Sequence, residues 1–302
     1  MSNPAVSVVV PVYNGERTLA RLMHALLHQV PSPLGDSELI FVDNDSTDGT
    51  AAILAGAAES IVVVKETRRG ASIARNAGLS RSRGGVVALL DADSVPGRTW
   101  LREISAPFAD PEVIVVAGGT ASFPPRTAAQ RFASAYGLTD ATRAVYDPVI
   151  PYANTRNMAI RRDTALAIGG FAEDLPSLED VEFGLRLKQQ VGCRIDYRDT
   201  AFAFHDDRDD DESLWRQAFL YGRGTAVMYA RYPDLLPWGL RQRVRRTQRA
   251  AARRIGARVS GVRERLGLMD AAASEYARYL ARWDQAFWDG FEFAKREQAE
   301  AA

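Results

Sequence analysis

The 302-residue chain has a single cysteine, Cys193. That excludes an internal disulfide framework and fits a reducing compartment better than an oxidising one. No apolar run approaches the ~20 residues that span a bilayer. The N-terminus, MSNPAVSVVVPVYNG, lacks the charged start and the cleavage site of a signal peptide. The expected location is therefore the cytoplasm, with the inner face of the membrane as the one membrane setting open to it. Net charge is also missing, because Lys plus Arg and Asp plus Glu come to 38 each. No overall field then favours nucleic acid as a partner. After the first predicted strand there is neither a G-x-G-x-x-G string nor a G-x-x-x-x-G-K-[ST] string, which argues against a Rossmann dinucleotide site and a phosphate-loop NTPase.

What is present is alternation. Val6 to Val12 is a β-branched strand run, and Glu16 to Leu27 places Leu19, Leu22, Met23, Leu26 and Leu27 on one helical face. Strands follow at Leu39 to Asp43, Ile61 to Lys65, Val86 to Asp91 and Val113 to Ala117. Helices fall between them, ending near Ala58, at Ala71 to Leu79 and at Trp100 to Phe108. This pattern predicts an α/β fold with parallel pairing through right-handed crossovers and helices on both faces.

Polar groups gather where the strands end. Strand one runs into Pro11-Val12-Tyr13-Asn14-Gly15, the second into Asp43-Asn44-Asp45, and the fourth into Asp91-Ala92-Asp93. Ligands of open α/β sheets sit outside the carboxyl ends of the strands, so these groups are delivered to one crevice. An Asp-X-Asp pair offers hard oxygen ligands to a divalent cation, which would in turn hold phosphates. Asp93 or Ser94 could equally cap the next helix, with Pro96 in its first turn.

Seven blocks occur in order. Val6-Ser7-Val8-Val9-Val10-Pro11-Val12-Tyr13-Asn14, Val42-Asp43-Asn44-Asp45-Ser46-Thr47-Asp48-Gly49-Thr50, Ala74-Arg75-Asn76-Ala77-Gly78 and Leu90-Asp91-Ala92-Asp93 come first. Asn157-Met158-Ala159-Ile160-Arg161-Arg162, Ile168-Gly169-Gly170-Phe171 and Glu179-Asp180-Val181-Glu182-Phe183-Gly184-Leu185-Arg186-Leu187 follow. Together, over about residues 5 to 225, they resemble the family 2 glycosyltransferases of GT-A fold. The second block departs from the usual Asp-Asp-Gly-Ser at Asn44-Asp45.

The resemblance implies a Rossmann-like, mixed but mostly parallel sheet flanked by helices. Residues 1–232 would form the catalytic domain, with a nucleotide-binding half to 120 and an acceptor half after it, and 233–302 a helical extension. It also implies an inverting, metal-dependent transfer of sugar from a nucleotide diphosphate, UDP first among the bases, to a glycan, lipid carrier, natural product or peptide. Pro11, Tyr13 and Asn14 would line the nucleoside pocket, with Asp43 and Arg75 at the base edge. Mn²⁺ or Mg²⁺ would sit on Asp93, with Asp91 nearer the ribose or the metal waters and His205 completing the shell. Asp180 would be the general base that takes the acceptor proton, with Glu179 orienting the acceptor or the surroundings of Asp180. Ser177-Leu178-Glu179-Asp180 also reads as a helix cap led by Ser177. Asn154, Arg156 and Asn157 would meet donor-sugar hydroxyls or phosphate, Gly170 and Phe171 would form a turn under the acceptor, and Arg223 would reach the diphosphate. Trp215, Tyr221 and Trp238 read as core residues with sugar stacking as the alternative.

Two other readings remain open at this stage. A GT-A-like nucleotidyltransferase would need a glycine-rich basic signature near the N-terminus, and Pro11 to Gly15 does not supply one. A non-catalytic nucleotide-sugar-binding protein would not need Asp91, Asp93 and Asp180 intact.

Charge is unevenly placed downstream. Asp206 to Glu212 holds six acids in seven residues and reads as a mobile, solvated loop, with a lid over the donor as the alternative. Arg241 to Arg265 holds ten arginines against one acid, Glu264, with Val244, Ile255, Val259, Val262 and Leu266 between them. It reads either as a peripheral membrane contact or as a helical cover for the catalytic domain. The aromatic residues of Ala271 to Lys295 must bury themselves, against the catalytic domain or in a homodimer.

Overall fold

The structure, a computed structural model, describes residues 4–192, 194–237 and 239–300. Cys193 and Trp238 lie outside the described residues. In chain order the elements are β1 (Val6–Val12), α1 (Leu19–Leu27), β2 (Ser37–Asp43), α2 (Thr50–Gly56), β3 (Val62–Lys65), α3 (Ala71–Arg81), β4 (Val86–Leu90), β5 (Ser94–Pro96) and α4 (Trp100–Ser105). Then come β6 (Val115–Ser122), α5 (Ala128–Tyr136), α6 (Ala141–Val145), β7 (Asn157–Arg161), α7 (Arg162–Ala167), α8 (Glu179–Gln190), β8 (Ile195–His205), α9 (Asp211–Arg231), α10 (Leu240–Arg265) and α11 (Ala271–Glu300).

The chain divides into two compact units. One comprises the residues up to Phe123, Thr139–Asp174 and Glu179–Asp206; the other comprises Pro124–Leu138, Leu175–Leu178 and the chain from Asp207 onward.

The first unit holds an eight-stranded sheet of order β3-β2-β1-β4-β7-β6-β8-β5. β1 to β4 pair in parallel, as alternating strands and helices require. The expectation of parallel pairing on through the fifth predicted strand is corrected by β7, which inserts antiparallel between β4 and β6. Alternation fixes the order of elements along the chain but not which strands become neighbours. β7 is almost as fully buried as β4, so it can occupy an interior position. Along β1 the period of two sends Val6, Val8, Val10 and Val12 to one face, against Leu19, Leu22 and Trp100. Val9 points to the other face, with Ala74, Phe183 and Leu187.

The second unit is helical. Phe132 of α5, Leu214 and Ala218 of α9 and Trp283 of α11 form its core, with Trp215, Tyr221 and Tyr279 packed against it. Trp215 and Tyr221 are therefore core residues, lying 5.2 Å from Tyr279 and 6.0 Å from Trp283 between ring centroids. The aromatic face of α11 that the sequence offers to a second subunit is occupied within the chain. Gly222 and Gly290 set the closeness of α9 and α11, because a Cβ on either would collide with a carbonyl of the other helix.

Candidate active site

The polar crevice is built from strand ends. β1 and β2 run side by side with Val12 opposite Asp43, and their following loops interlock. The Asn14 carboxamide oxygen accepts the Thr47 N–H at 2.8 Å, the Gly15 N–H donates to the Thr50 hydroxyl at 2.8 Å, and Glu16 accepts the Gly49 N–H at 3.0 Å. Asn14 sits at φ 50°, a conformation asparagine tolerates. Asp43 is buried and accepts the Ser46 N–H at 3.1 Å. Pro11 lies within β1, and Tyr13 stays half exposed, with the Arg69 guanidinium stacked 3.4 Å over its ring.

Asn44 explains the departure from the usual family block. Its amide nitrogen donates to the carbonyls of Glu66 at 3.2 Å and Arg68 at 2.6 Å, and its oxygen accepts the Gly70 N–H at 2.8 Å. An aspartate could accept but not donate there. The amide clamps the loop between β3 and α3 and thereby places Arg69 over Tyr13.

β4 delivers Asp91 at its end, and the turn closes with the Ser94 N–H on the Asp91 carbonyl at 3.0 Å. β5, where the sequence offers a helix capped by Asp93 or Ser94 with Pro96 in its first turn, is instead a strand that pairs antiparallel with β8 and sets Ser94 opposite His205. The Asp206 N–H bonds the Asp93 carbonyl at 2.9 Å, so the residue just before β5 and the residue just after β8 are tied together. His205 Nε2 then stands 3.2 Å from Asp93 Oδ1. Asp91, Asp93 and His205 each present a ligand atom, and the three atoms lie within 4.8 Å of one another. Two ligands of one cation at about 2.1 Å can be at most about 4.2 Å apart, so this oxygen–oxygen–nitrogen set fits a divalent ion after a small closing movement.

Arg75 departs from its expected place at the base edge. Its side chain is 6% exposed and lies beneath the acids, Nη2 donating to Asp91 at 2.8 Å and Nη1 to Glu179 at 2.5 Å. Burial works against its charge, but the Asp91, Glu179 and Asp180 carboxylates outweigh burial and hold its pKa above the ordinary guanidinium value. One cation thus joins the end of β4 to the start of α8. Asp180 follows in that helix. Burial first, and the Glu179 charge second, push its carboxyl up to about 7 against the opposing influence of Arg75 and Arg156. Its carboxylate also accepts the Val181 N–H at 2.9 Å. The Ser177 hydroxyl does not cap α8; it donates to the Leu220 carbonyl at 2.6 Å.

Asn154 and Arg156 precede β7 rather than lying in it. Asn154 accepts both the backbone N–H and Nε of Arg156, at 3.1 and 2.9 Å, which aims a buried guanidinium into the field of Asp180. Asn157 corrects the expectation of a sugar contact. It is 2% exposed, its nitrogen donates to the Gly119 and Ala201 carbonyls at 2.9 and 2.8 Å, and its oxygen accepts the Trp100 indole N–H at 2.7 Å. With its amide saturated, it ties β7 to its neighbours. Phe171 likewise turns inward and stacks on Phe183 with 4.5 Å between centroids. The turn before it is real, with Gly169 and Gly170 at φ 86° and 67°. Asn76 clamps that turn by accepting the Phe171 N–H and donating to its carbonyl, both at 2.8 Å. In the second unit Arg223 pairs with Glu297 at 2.9 Å and lies over the Phe293 ring.

Sequence reasoning passed over Arg69, Asn44 and Asn76 as site-shaping residues. For Asn76 a signal existed, a two-sided amide in the block that also holds Arg75. For Arg69, in the run Thr67-Arg68-Arg69-Gly70, nothing separated it from a solvated arginine.

Residues 7–168 match the family model for glycosyl transferase family 2. Among curated proteins the chain is 29% identical over 227 residues to glycosyltransferase AglE of Haloferax volcanii, covering 73% of each. It is 30% identical over 241 residues to the pre-mycofactocin glycosyltransferase of Mycobacterium tuberculosis, covering 77% of this chain and 49% of that protein. The chain thus spans about half the length of the latter. Among solved structures, a mannosyltransferase from Pyrobaculum calidifontis, in complex with GDP-Man and Mn²⁺, superposes with TM-score 0.62 at 21% identity over 95% of this chain and 88% of that one. TarS from S. aureus, in complex with UDP-GlcNAc, gives TM-score 0.53 at 19% identity over 97% and 92%. At these identities the structural likeness establishes the GT-A fold.

Proposed function

The chain belongs to glycosyl transferase family 2, and from that premise we propose that it moves a sugar from a nucleotide diphosphate, a UDP-sugar first among donors, to an acceptor nucleophile with inversion. The observation that carries the reading is the double engagement of Arg75. It ties Asp91, a member of the three-residue ligand set, to Glu179, the neighbour of a carboxyl raised to about 7. A cation site and a proton acceptor are thereby held by one rigid link.

In this reading Asp91, Asp93 and His205 hold the divalent ion. When bound, that ion supplies Lewis-acid stabilisation of the departing diphosphate. The imidazole nitrogen suits Mn²⁺ better than Mg²⁺. Asp180 takes the proton of the acceptor nucleophile as it attacks the anomeric carbon, while the bond from that carbon to the diphosphate breaks on the opposite side. A carboxyl with a pKa near the working pH suits this task. Arg156 steadies the charge that Asp180 carries when ionised, and Tyr13, Asn14 and Asp43 border the nucleoside, with Arg69 available to stack on the base.

The test is slow donor hydrolysis. UDP-, GDP- and dTDP-sugars are each incubated with the protein, with Mn²⁺, Mg²⁺ or chelator, and nucleoside diphosphate release is followed. We expect release from one base class that disappears with chelator and in Asp93→Ala. Release indifferent to chelator, or no release from any donor, would contradict the reading.

A further inference from the structure

We propose that α10 is a docking surface for an anionic phospholipid bilayer. The helix has two opposed faces. On one, Ala250 and Ser260 are buried, Arg253 pairs with Asp284 of α11, Arg246 with Glu292 of α11, and Glu264 with Arg278 of α11. That face is spent on α11.

On the other face Val244, Ile255, Val259, Val262 and Leu266 are exposed by 46, 61, 47, 55 and 67%. At 3.6 residues per turn these five fall within about 60° of arc. Exposed arginines border the stripe on both sides, Arg245, Arg249 and Arg263 along one edge and Arg254 and Arg258 along the other. The end of the helix is fixed as well. Gly267, at φ 69°, donates to the Glu264 carbonyl, and Leu268 donates to that of Arg263 at 2.8 Å, which stops the helix just past Leu266 and leaves Leu268 63% exposed.

The arrangement selects its occupant. A soluble polyanion would be met by a row of arginines, whereas here the row is split by an apolar stripe that runs unbroken from Ile255 to Leu266, with Val244 three turns before it on the same arc. A second copy of the chain would bring two arginine-bordered faces together, with like charges opposed. A bilayer satisfies both parts. The stripe enters the boundary between headgroups and acyl chains, and the arginines at its edges reach up to lipid phosphates with their methylene stems along the apolar surface. No helix among the described residues is long and apolar enough to cross a membrane; the proposed contact is made by the exposed face of α10 lying along the surface. It stands apart from the proposed transfer chemistry and does not depend on it.

The experiment is flotation of the full chain with vesicles of phosphatidylcholine, with or without one-third phosphatidylglycerol, at ~0.05 and ~0.5 M salt. Wild type is expected to float with the anionic vesicles only and to release at high salt. Arg254→Gln with Arg258→Gln should weaken partition about fivefold per arginine. Ile255→Gln with Val262→Gln should weaken it about tenfold or more. These side chains are exposed, so an unchanged thermal midpoint is expected to show the fold intact in every variant. Failure of wild type to float with anionic vesicles would overturn the proposal. So would flotation unaffected by the Ile255 and Val262 changes, with heparin retention lost only in the arginine variants, which assigns the face to a soluble polyanion. A dimer in sedimentation that dissociates in Ile255→Gln would overturn it in favour of a second copy.

Discussion

Arg75 and Asp91 are joined by a 2.8 Å N–H···O bond while the same guanidinium grips Glu179 at 2.5 Å. Removing the cation leaves two carboxylates and Asp180 beneath the crevice without their common partner. Breaking a buried ion pair on one side typically costs about 3–5 kcal/mol, and since Asp91 is a quarter exposed the low end applies. Arg75→Gln should therefore unfold at markedly lower urea. It should also move the Asp180 titration upward, because Arg75 is one of the groups that hold that pKa down. Arg75→Lys, which keeps the charge but not the fork, should restore part of the pH behaviour and less of the stability.

Asp180 predicts two pH effects of opposite sense. In the proposed role of base it must be ionised, so kcat/KM should rise with pH to a plateau above about 7. Asp180→Asn should cut the rate about 10²- to 10⁴-fold with donor binding retained. Stability runs the other way. The folded protein holds this proton up to about 7 and the unfolded chain releases it at the ordinary carboxylate value, so stability falls as pH rises between them. Denaturant midpoints across that window should lose this slope in Asp180→Asn.

At Asn44 the amide donates to two carbonyls and accepts one N–H. Asn44→Asp, the change toward the usual family block, should destabilise by about 2–4 kcal/mol, since both donated bonds are lost and a charge faces two carbonyl oxygens. It should also free the β3–α3 loop, which hydrogen exchange at Gly70 would report.

The crossing of α9 and α11 gives a prediction in the second unit. Gly290→Ala places a methyl group against the Phe219 carbonyl. Overpacking of this kind costs about 1–3 kcal/mol and outweighs the roughly 1 kcal/mol gained in helix propensity. Urea unfolding of the variant checks the sign.

Much of the first unit is legible in the sequence because its strands are continuous apolar runs and its helices amphipathic. The residues of β1 to β4 read directly, and the strand-end acids Asp91 and Asp93 lie where that reading puts them, beside His205. β5 was hidden because three residues with a proline carry no periodicity, yet it is the element that sets Ser94 opposite His205. The place of β7 depends on long-range pairing that local pattern does not encode. Side-chain direction was the least legible feature. A sequence cannot tell that Arg75 and Asn157 turn inward to polar partners far along the chain, nor that Leu27, which shares the apolar periodicity of α1, is 46% exposed. The apolar stripe of α10, by contrast, was present in its periodicity, but not that the opposite face, with Ala250, Arg253 and Ser260, is the one that packs on α11.

In the proposed function Asp91, Asp93 and His205 together hold a cation through which the nucleotide is bound. Calorimetric titration of UDP and GDP into the protein, with Mn²⁺ and with chelator, on wild type and Asp93→Asn, tests it most directly. The expected result is binding of one nucleotide that requires Mn²⁺ and is lost in the variant. Binding of equal strength with chelator, or in Asp93→Asn, would contradict it.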